Sequence, residues 1–151
     1  MLISNKKAYF NYIIQDEIEC GVVLTGDEVK SIKSNTTNIA NGYVVIKNNE
    51  VFVINWHVAE YKFTSKKNIT NMNIYNPLRE KKLLLHRNQI NKLHGKTYRT
   101  NLTIVLTKCY VNSKNKIKVS IAIGEGRKKY DKREYIKSKD LNRESYKFKE
   151  I

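Results

Sequence analysis

The residues that could support catalysis are clustered acids and three histidines. Clustered carboxylates can bind a divalent cation or act as a general acid and base. The acids in question are Asp16, Glu17, Glu19, Asp27 and Glu28. Such clusters are more often solvated surfaces or helix caps, and Glu28 follows Thr25 at the spacing of a capping box.

The three histidines do not form a recognisable metal site. His86 and His94 are eight residues apart, and His57 is distant from both in sequence. No nearby third ligand completes a tetrahedral site. The chain also lacks the motifs of phosphate-binding loops, serine hydrolases and zinc proteases. We therefore expect a non-enzymatic protein without a metal or another cofactor.

Side chains suited to binding RNA are more numerous. The chain carries 29 Lys and Arg against 14 Asp and Glu, a net charge of +15, together with ten tyrosines. Four tyrosines stand next to a basic residue: Tyr61-Lys62, Tyr98-Arg99, Lys129-Tyr130 and Tyr146-Lys147. Aromatic rings stack on bases while cations neutralise phosphates. The alternative is that these rings are buried at the wall of the domain with their hydroxyls at the rim. The charge indicates a nucleic-acid partner.

The basic charge is densest in a C-terminal tail, residues 126–151. This tail has ten Lys or Arg and five acids, a net charge of +5. Asp131, with Glu134 three residues later, predicts the N-cap and capping box of a helix. Its apolar residues do not recur every three or four positions, so the helix would have no face to bury. We expect the tail to be loose when free and ordered on a polyanion. An anionic membrane fits less well, because it needs a continuous apolar face.

Apolar alternation predicts a mainly β domain over residues 1–125. Strands are expected over residues 8–14, 18–24, 43–47, 50–55, 102–111 and 116–123. A helix should begin near Gly26, and another should cover residues 87–94 and end at Gly95. Residues 62–76 should form a long loop. A small, partly closed antiparallel barrel fits these strands, because closure removes sheet edges.

Several positions in these elements carry specific expectations. Gly21 suggests a β-bulge or the close approach of another backbone. Asn48-Asn49 should form a two-residue hairpin turn. In the last strand Lys118 alternates with apolar neighbours and is therefore presented outward. The glycines at positions 124 and 126 should make a flexible joint between the barrel and the tail.

Composition also bears on the compartment. Cys20 and Cys109 are the only cysteines, which suits free thiols in a reducing environment. The first residues lack the apolar core of a signal peptide, and no run approaches the ~20 apolar residues of a membrane span. The abundance of Asn, Lys and Ile suggests a biased genome, such as that of an endosymbiont or an organelle.

Three segments together resemble one known family. Residues 21–31 read GVVLTGDEVKS, residues 76–86 read NPLREKKLLLH, and residues 126–133 read GRKKYDKR. In this order and spacing they resemble the motifs of the tmRNA-binding proteins, also called small protein B or SsrA-binding proteins. The resemblance covers essentially the whole chain. It implies an OB-like β-barrel and a non-enzymatic RNA chaperone of trans-translation.

The resemblance also implies partners and binding residues. The protein would bind the tRNA-like domain of tmRNA and, with elongation factor Tu engaged through tmRNA, deliver it to a stalled ribosome. A monomer in the bacterial cytoplasm, or in an organelle stroma, is expected. The tRNA-like domain would be held by Glu19, Lys30, Leu84, His86 and Lys118. The tail would enter the empty mRNA channel of the small subunit and reach the decoding centre through Gly126, Arg127, Lys128, Lys129, Tyr130, Asp131, Lys132 and Arg133.

The chain departs from the family motif at two tail positions. Glu125 stands where a basic residue is frequent, and Tyr130 where many members have His; both Tyr and His can stack. Two other functions are compatible with parts of the sequence. One is a generic OB-type single-strand RNA binder or ribosomal protein, and the other is a small metal-dependent nuclease using the clustered acids.

Overall fold

The structure, a computed structural model, describes residues 2–62 and 75–149, with side chains up to residue 143. The strands are β1 (Leu2–Ser4), β2 (Tyr12–Val22), β3 (Thr37–Asn38), β4 (Tyr43–Lys47), β5 (Glu50–Ile54), β6 (His57–Val58), β7 (Lys81–Leu84), β8 (Leu102–Val111) and β9 (Ile117–Gly126). The helices are α1 (Lys6–Asn11), α2 (Gly26–Lys33), α3 (Arg87–Thr97) and α4 (Lys129–Lys149). The mainly β architecture is thus confirmed, with four helices in the described ranges instead of two or three.

Seven strands form one antiparallel sheet in the order β1-β8-β4-β5-β7-β2-β9. β8 also pairs with β9, so the hydrogen-bonded neighbours that start at β8 return to β8. β3 and β6 form a separate two-stranded sheet. The inward side chains, with Trp56, Leu106 and Ile121 among them, form one buried apolar cluster. This burial is the main stabilising contribution to the fold.

Two local predictions are confirmed in detail. β4 and β5 pair directly around Asn48 and Asn49, whose φ angles of 50° and 63° match a turn that asparagine tolerates. α2 begins at Gly26 with a complete capping box, in which the Thr25 N–H donates to Glu28 Oε1 at 2.8 Å. The Glu28 N–H donates in return to Thr25 Oγ1 at 3.3 Å.

Glu28 also joins α2 to β7 through a buried ion-pair network. Its carboxylate lies 2.5 Å from Arg79 Nη2 and 3.7 Å from Lys81 Nζ. The Lys81 ammonium is fully buried and donates to the carbonyl oxygens of Trp56 and Arg79, at 3.1 and 2.9 Å. Burial lowers the pKa of Lys81 to about 8, although Glu28 acts in the opposite direction. The network therefore connects the first turn of α2 to the first residue of β7, the strand that ends at Leu84.

The N-terminal strand prediction is wrong for residues 8–11, which lie in α1. Asn5 explains the difference, because its side chain fixes the helix start on the sheet. Asn5 Nδ2 donates to the Ile39 and Leu106 carbonyl oxygens at 3.0 and 2.7 Å, and Asn5 Oδ1 accepts from the Ala8 N–H at 3.0 Å. These tertiary contacts outweigh the β propensity of the aromatic residues that follow.

The remaining parts of the two strands expected over residues 8–14 and 18–24 belong to one strand, β2, which covers Tyr12–Val22. Its register with β9 shifts between Gln15 and Ile18, and Asp16 has a φ of 52° at that point. The bulge is therefore at Asp16 and not at Gly21. At Gly21 the atoms nearest to a Cβ would be side-chain atoms of Leu84 and Lys118, at 3.4 to 3.6 Å, so the expected close approach of another backbone is not found there.

Two predicted element ends are also wrong. α3 runs through Gly95 to Thr97, and the left-handed residue after it is Arg99, with a φ of 54°. β9 runs through Gly124 to Gly126, where a glycine-rich joint was expected. Gly124 is required for packing, because a Cβ there would lie only 2.9 Å from Tyr12 Cβ. Most of the loop expected over residues 62–76 lies outside the described residues.

Candidate nucleic-acid interface

Leu84 and Lys118 meet over the backbone of Gly21. Gly21 in β2 is paired with Leu84 of β7 on one side and with Lys118 of β9 on the other. A Cβ placed on Gly21 would lie 3.4 Å from Leu84 Cδ1 and 3.6 Å from Lys118 Nζ. An apolar group and an ammonium therefore lie side by side over this residue. Leu84 is 57% exposed, which leaves this apolar group open to a partner.

Glu19 lies on the same face of β2, two residues before Gly21. It is exposed and pairs with Ser120 in β9. The Tyr110 hydroxyl donates a hydrogen bond to Glu19 Oε2. The structure thus brings Glu19, Leu84 and Lys118 together on three adjacent strands. A hydrogen-bond acceptor, an apolar side chain and a cation therefore lie close together on one face of the sheet.

Tyr110 was not among the binding residues expected from the sequence. The predicted hairpin of residues 102–111 and 116–123, with a four-residue loop, would place Tyr110 opposite Ile117. The connection between β8 and β9 is one residue longer, which sequence patterns did not indicate, and it places Tyr110 opposite Lys118. Burial and the adjacent Glu19 carboxylate raise the pKa of Tyr110 to about 12, so its hydroxyl stays protonated at neutral pH.

A second tyrosine–carboxylate pair lies beside the first. The Tyr9 hydroxyl donates to Glu17 Oε1, while Lys108 Nζ lies 3.6 Å from Glu17 Oε2. Burial, followed by the contact with Glu17, raises the pKa of Tyr9 to about 12. Glu17 is thus engaged by both a hydroxyl and an ammonium.

His86 and Lys30 occupy different positions from the Glu19–Leu84–Lys118 cluster. His86 follows β7 as the N-cap residue of α3, where its exposed side chain stands two residues beyond Leu84. Its backbone N–H donates to Gln89 Oε1 at 3.0 Å. Lys30 lies on the exposed side of α2, with its ammonium 5.7 Å from the centroid of the Tyr61 ring. Neither residue belongs to the sheet face that carries the cluster.

The tail leaves β9 at Gly126 and is attached to the end of α1 and the start of β2. The Arg127 N–H donates to the Asn11 carbonyl oxygen at 2.8 Å, and Arg127 Nε donates to that of Tyr12 at 3.3 Å. The helix α4 then begins at Lys129. Asp131 was predicted to be the N-cap of this helix, and that prediction is wrong. Asp131 lies in the first turn and accepts a hydrogen bond from the Lys128 N–H at 3.2 Å.

The first turns of α4 do have a side that faces the protein, contrary to the prediction. The Tyr135 ring is half-buried, with its centroid 6.2 Å from that of Phe10. Lys132 Nζ lies 5.6 Å from the Phe10 ring centroid. Lys128, Lys129 and Arg133 are exposed, and Tyr130 is 70% exposed. The same helix therefore presents one side to α1 and several cations and a ring to solvent.

Other kinds of site were sought in the described part of the chain. Residues 2–62 and 75–149 contain no group of three or more His, Cys, Asp or Glu side chains that could hold a metal ion. None of the helices described is long and apolar enough to span a membrane. Cys20 and Cys109 are free and buried, and burial raises the pKa of each thiol to about 12. Neither thiol is therefore a reactive nucleophile at neutral pH.

Comparison with known proteins gives one consistent result. A family model described as SmpB protein matches residues 2–150. The SsrA-binding protein of Wolbachia pipientis wMel is 44% identical over 144 residues, which cover 95% of this chain and 93% of that protein. The SsrA-binding protein of Malacoplasma penetrans (strain HF-2) is 44% identical over 149 residues, which cover 97% and 96%.

A solved structure is also similar. It is described as "tmRNA-SmpB: a journey to the center of the bacterial ribosome". The matching chain has a TM-score of 0.67 and 28% sequence identity, covering 89% of this chain and 94% of that one. Sequence and fold agree over nearly the full length, and this chain belongs to the SmpB family of SsrA-binding proteins.

Proposed function

We propose that this protein is a tmRNA-binding chaperone of trans-translation. It binds the tRNA-like domain of tmRNA and helps to place that domain in the empty decoding site of a stalled bacterial ribosome. The observation that carries the proposal is the meeting of Glu19, Leu84 and Lys118 around Gly21, in a chain of the SmpB family. The role requires no catalysis and no cofactor.

The chemistry of the cluster suits a folded RNA. The Lys118 ammonium neutralises a phosphate, and each phosphate contact releases counterions. The exposed Leu84 side chain packs on the face of a ribose or base. Glu19 accepts a hydrogen bond from a 2′-hydroxyl or a base amino group. Lysines that bind only phosphates cannot recognise these two donor groups. His86, beyond Leu84, and Lys30, on α2, extend the contact with the same RNA.

The tail serves the second RNA partner. Gly126 to Arg133 begin at the end of β9 and present exposed cations together with Tyr130. These residues enter the mRNA channel of the small subunit, where Tyr130 stacks and Asp131, Lys132 and Arg133 lie near the decoding centre. Residues 126–151 act as a unit distinct from residues 1–125. The first turns of this tail contact α1, and the part beyond them is loose when free and helical on the ribosome.

The sheet supports an OB-like barrel as the scaffold. The ladder that starts at β8 passes through β4, β5, β7, β2 and β9 and returns to β8, which is the connectivity of a closed antiparallel barrel. Such barrels display ligand-binding side chains on a rigid outer face. The protein acts as a monomer in the bacterial cytoplasm, and elongation factor Tu joins the complex through tmRNA.

Filter binding to tmRNA and to a scrambled RNA of equal length tests the proposal. The wild-type protein should prefer tmRNA strongly. Lys118→Ala should weaken tmRNA binding by about tenfold, because a charge-assisted contact is lost. Lys33→Ala is the matched control, since it removes one positive charge from an exposed position on α2. Equal affinities for the two RNAs would favour a generic RNA binder, and equal effects of the two substitutions would exclude a role for the cluster.

A further inference from the structure

We propose that Tyr110 is a positioning residue for RNA recognition. Its hydroxyl holds one oxygen of the Glu19 carboxylate, so that the other oxygen is presented, beside Lys118, to a hydrogen-bond donor of the RNA. This inference rests on the proposed function of the same surface. It adds a residue from β8, a strand that supplies none of the other binding residues on this face.

The strand register explains how Tyr110 reaches Glu19. Tyr110 is directly opposite Lys118, and Ser120, two residues further along β9, lies between Lys108 and Glu19. The long tyrosine side chain crosses this row diagonally and donates to Glu19 Oε2. A shorter hydroxyl side chain on β8 could not span this distance.

The side chains of Tyr110 and Glu19 differ in conformational freedom. Tyr110 is half-buried and has few rotatable bonds, whereas Glu19 is exposed on the open face of the sheet. A free glutamate at such a position samples many rotamers, and ordering them on binding costs entropy. The hydrogen bond from Tyr110 orders the carboxylate before RNA arrives, and preorganisation of this kind increases affinity.

Glu19 is also the carboxylate that remains available for a ligand. In the described ranges it has no ion pair, and the hydrogen bond that it accepts from Tyr110 uses only Oε2. Glu17 is different, because it accepts from Tyr9 through one oxygen and lies next to the Lys108 ammonium through the other. The two tyrosine–carboxylate pairs are chemically alike, yet only the pair at Glu19 adjoins Lys118 and Leu84.

This contrast provides a matched control. Tyr110→Phe and Tyr9→Phe each remove one hydroxyl that donates to a glutamate on this face. Tyr110→Phe should weaken tmRNA binding about three- to tenfold, as expected for one lost hydrogen bond. Tyr9→Phe should leave the affinity unchanged. The slope of affinity against salt should be the same in all three proteins, because no phosphate contact is removed.

A double-mutant cycle with Glu19→Ala separates positioning from packing. In the Glu19→Ala background, Tyr110→Phe should have no further effect on tmRNA affinity. Equal and additive losses in the two backgrounds would overturn the proposal. Equal losses from Tyr110→Phe and Tyr9→Phe would also overturn it. Failure of the wild-type protein to prefer tmRNA would instead contradict the proposed function itself.

Two sets of modified RNA identify the donor. One set carries single 2′-deoxy substitutions in the tRNA-like domain, and the other replaces single guanosines with inosine, which removes the amino group. One substitution should weaken binding to the wild type and have a clearly smaller effect on Tyr110→Phe. A 2′-deoxy position assigns the donor to ribose, and an inosine position assigns it to a base. The proposal fails if every substitution affects both proteins equally.

Discussion

The Arg127 guanidinium lies 4.5 Å from the centroid of the Tyr135 ring. The Lys139 ammonium lies 4.7 Å from the same centroid, and Phe10 of α1 lies against the ring. Cations near aromatic rings are stabilised by the charge distribution of the ring. Arg127, Tyr135 and Phe10 therefore attach the beginning of α4 to α1, and we call these three residues the tail clamp.

Removing the clamp should loosen the beginning of the tail. Phe10→Ala deletes the ring that Tyr135 and Lys132 contact. Hydrogen exchange of backbone amides in residues 129–136 should become at least about threefold faster, because local opening no longer disrupts this contact. The matched control is Leu141→Ala, which removes a large apolar side chain that is 65% exposed on the same helix. Similar acceleration in both variants would show that the clamp does not order the helix.

The tail should act through particular residues more than through total charge. Replacing Asp131, Lys132 and Arg133 with Ala should reduce tagging on stalled ribosomes by at least about tenfold, as expected from losing several charged contacts. Replacing Lys147 and Lys149 with Ala removes more net positive charge but should have a much smaller effect. The measurement is tag addition to a nascent chain on an mRNA without a stop codon. Equal losses of tagging in the two variants would mean that only the total charge of the tail matters. Binding of tmRNA should persist in both variants.

Stability should depend on Lys81 at alkaline pH. Burial lowers its pKa from 10.5 to about 8, so between these values the unfolded chain binds more protons than the folded one. The contribution of Lys81 to the free energy of unfolding therefore rises with pH across this window, by on the order of 1–3 kcal/mol. In urea unfolding at pH 7.5, 9 and 10.5, the free energy of unfolding of the wild type should increase with pH relative to that of Lys81→Met. A constant difference between the two proteins would contradict the lowered pKa.

The same substitution should have opposite effects at two glycines. Gly124→Ala places a Cβ 2.9 Å from Tyr12 Cβ and should destabilise the protein by about 1–3 kcal/mol. Gly95 lies inside α3, and a Cβ there has no heavy atom within 4 Å in the described structure. Gly95→Ala should therefore stabilise the protein by about 0.5–1 kcal/mol. Thermal unfolding of the two variants measures whether each substitution lowers or raises the melting temperature relative to the wild type.

Sequence patterns predicted the elements that depend on local chemistry. The hairpin around Asn48-Asn49 and the Thr25–Glu28 capping box are set by nearby residues, and both are confirmed. The outward position of Lys118 followed from simple alternation, and the residues on either side of it are buried in the core. For the candidate interface, however, the resemblance to a family identified Glu19 and Leu84, since neither residue has a distinctive local pattern.

The errors arose where distant residues decide the structure. α1 depends on Asn5 reaching the Ile39 and Leu106 carbonyl oxygens, which lie 34 and 101 residues away in sequence. The continuation of β9 to Gly126 depends on pairing with β2, in which Tyr12 lies opposite Gly126. The inward side of α4 depends on Phe10, more than a hundred residues earlier. Periodicity within one segment does not contain this information.

β9 carries Lys118 near its beginning and Gly126 at its end, and it is paired on both sides between them. At about 3.3 Å per residue, the eight steps between these positions span roughly 26 Å. A strand held from both sides cannot stretch or bend easily. Under the proposed function, β9 therefore sets a constant separation between the RNA contacted by Lys118 and the point at which the tail leaves the sheet.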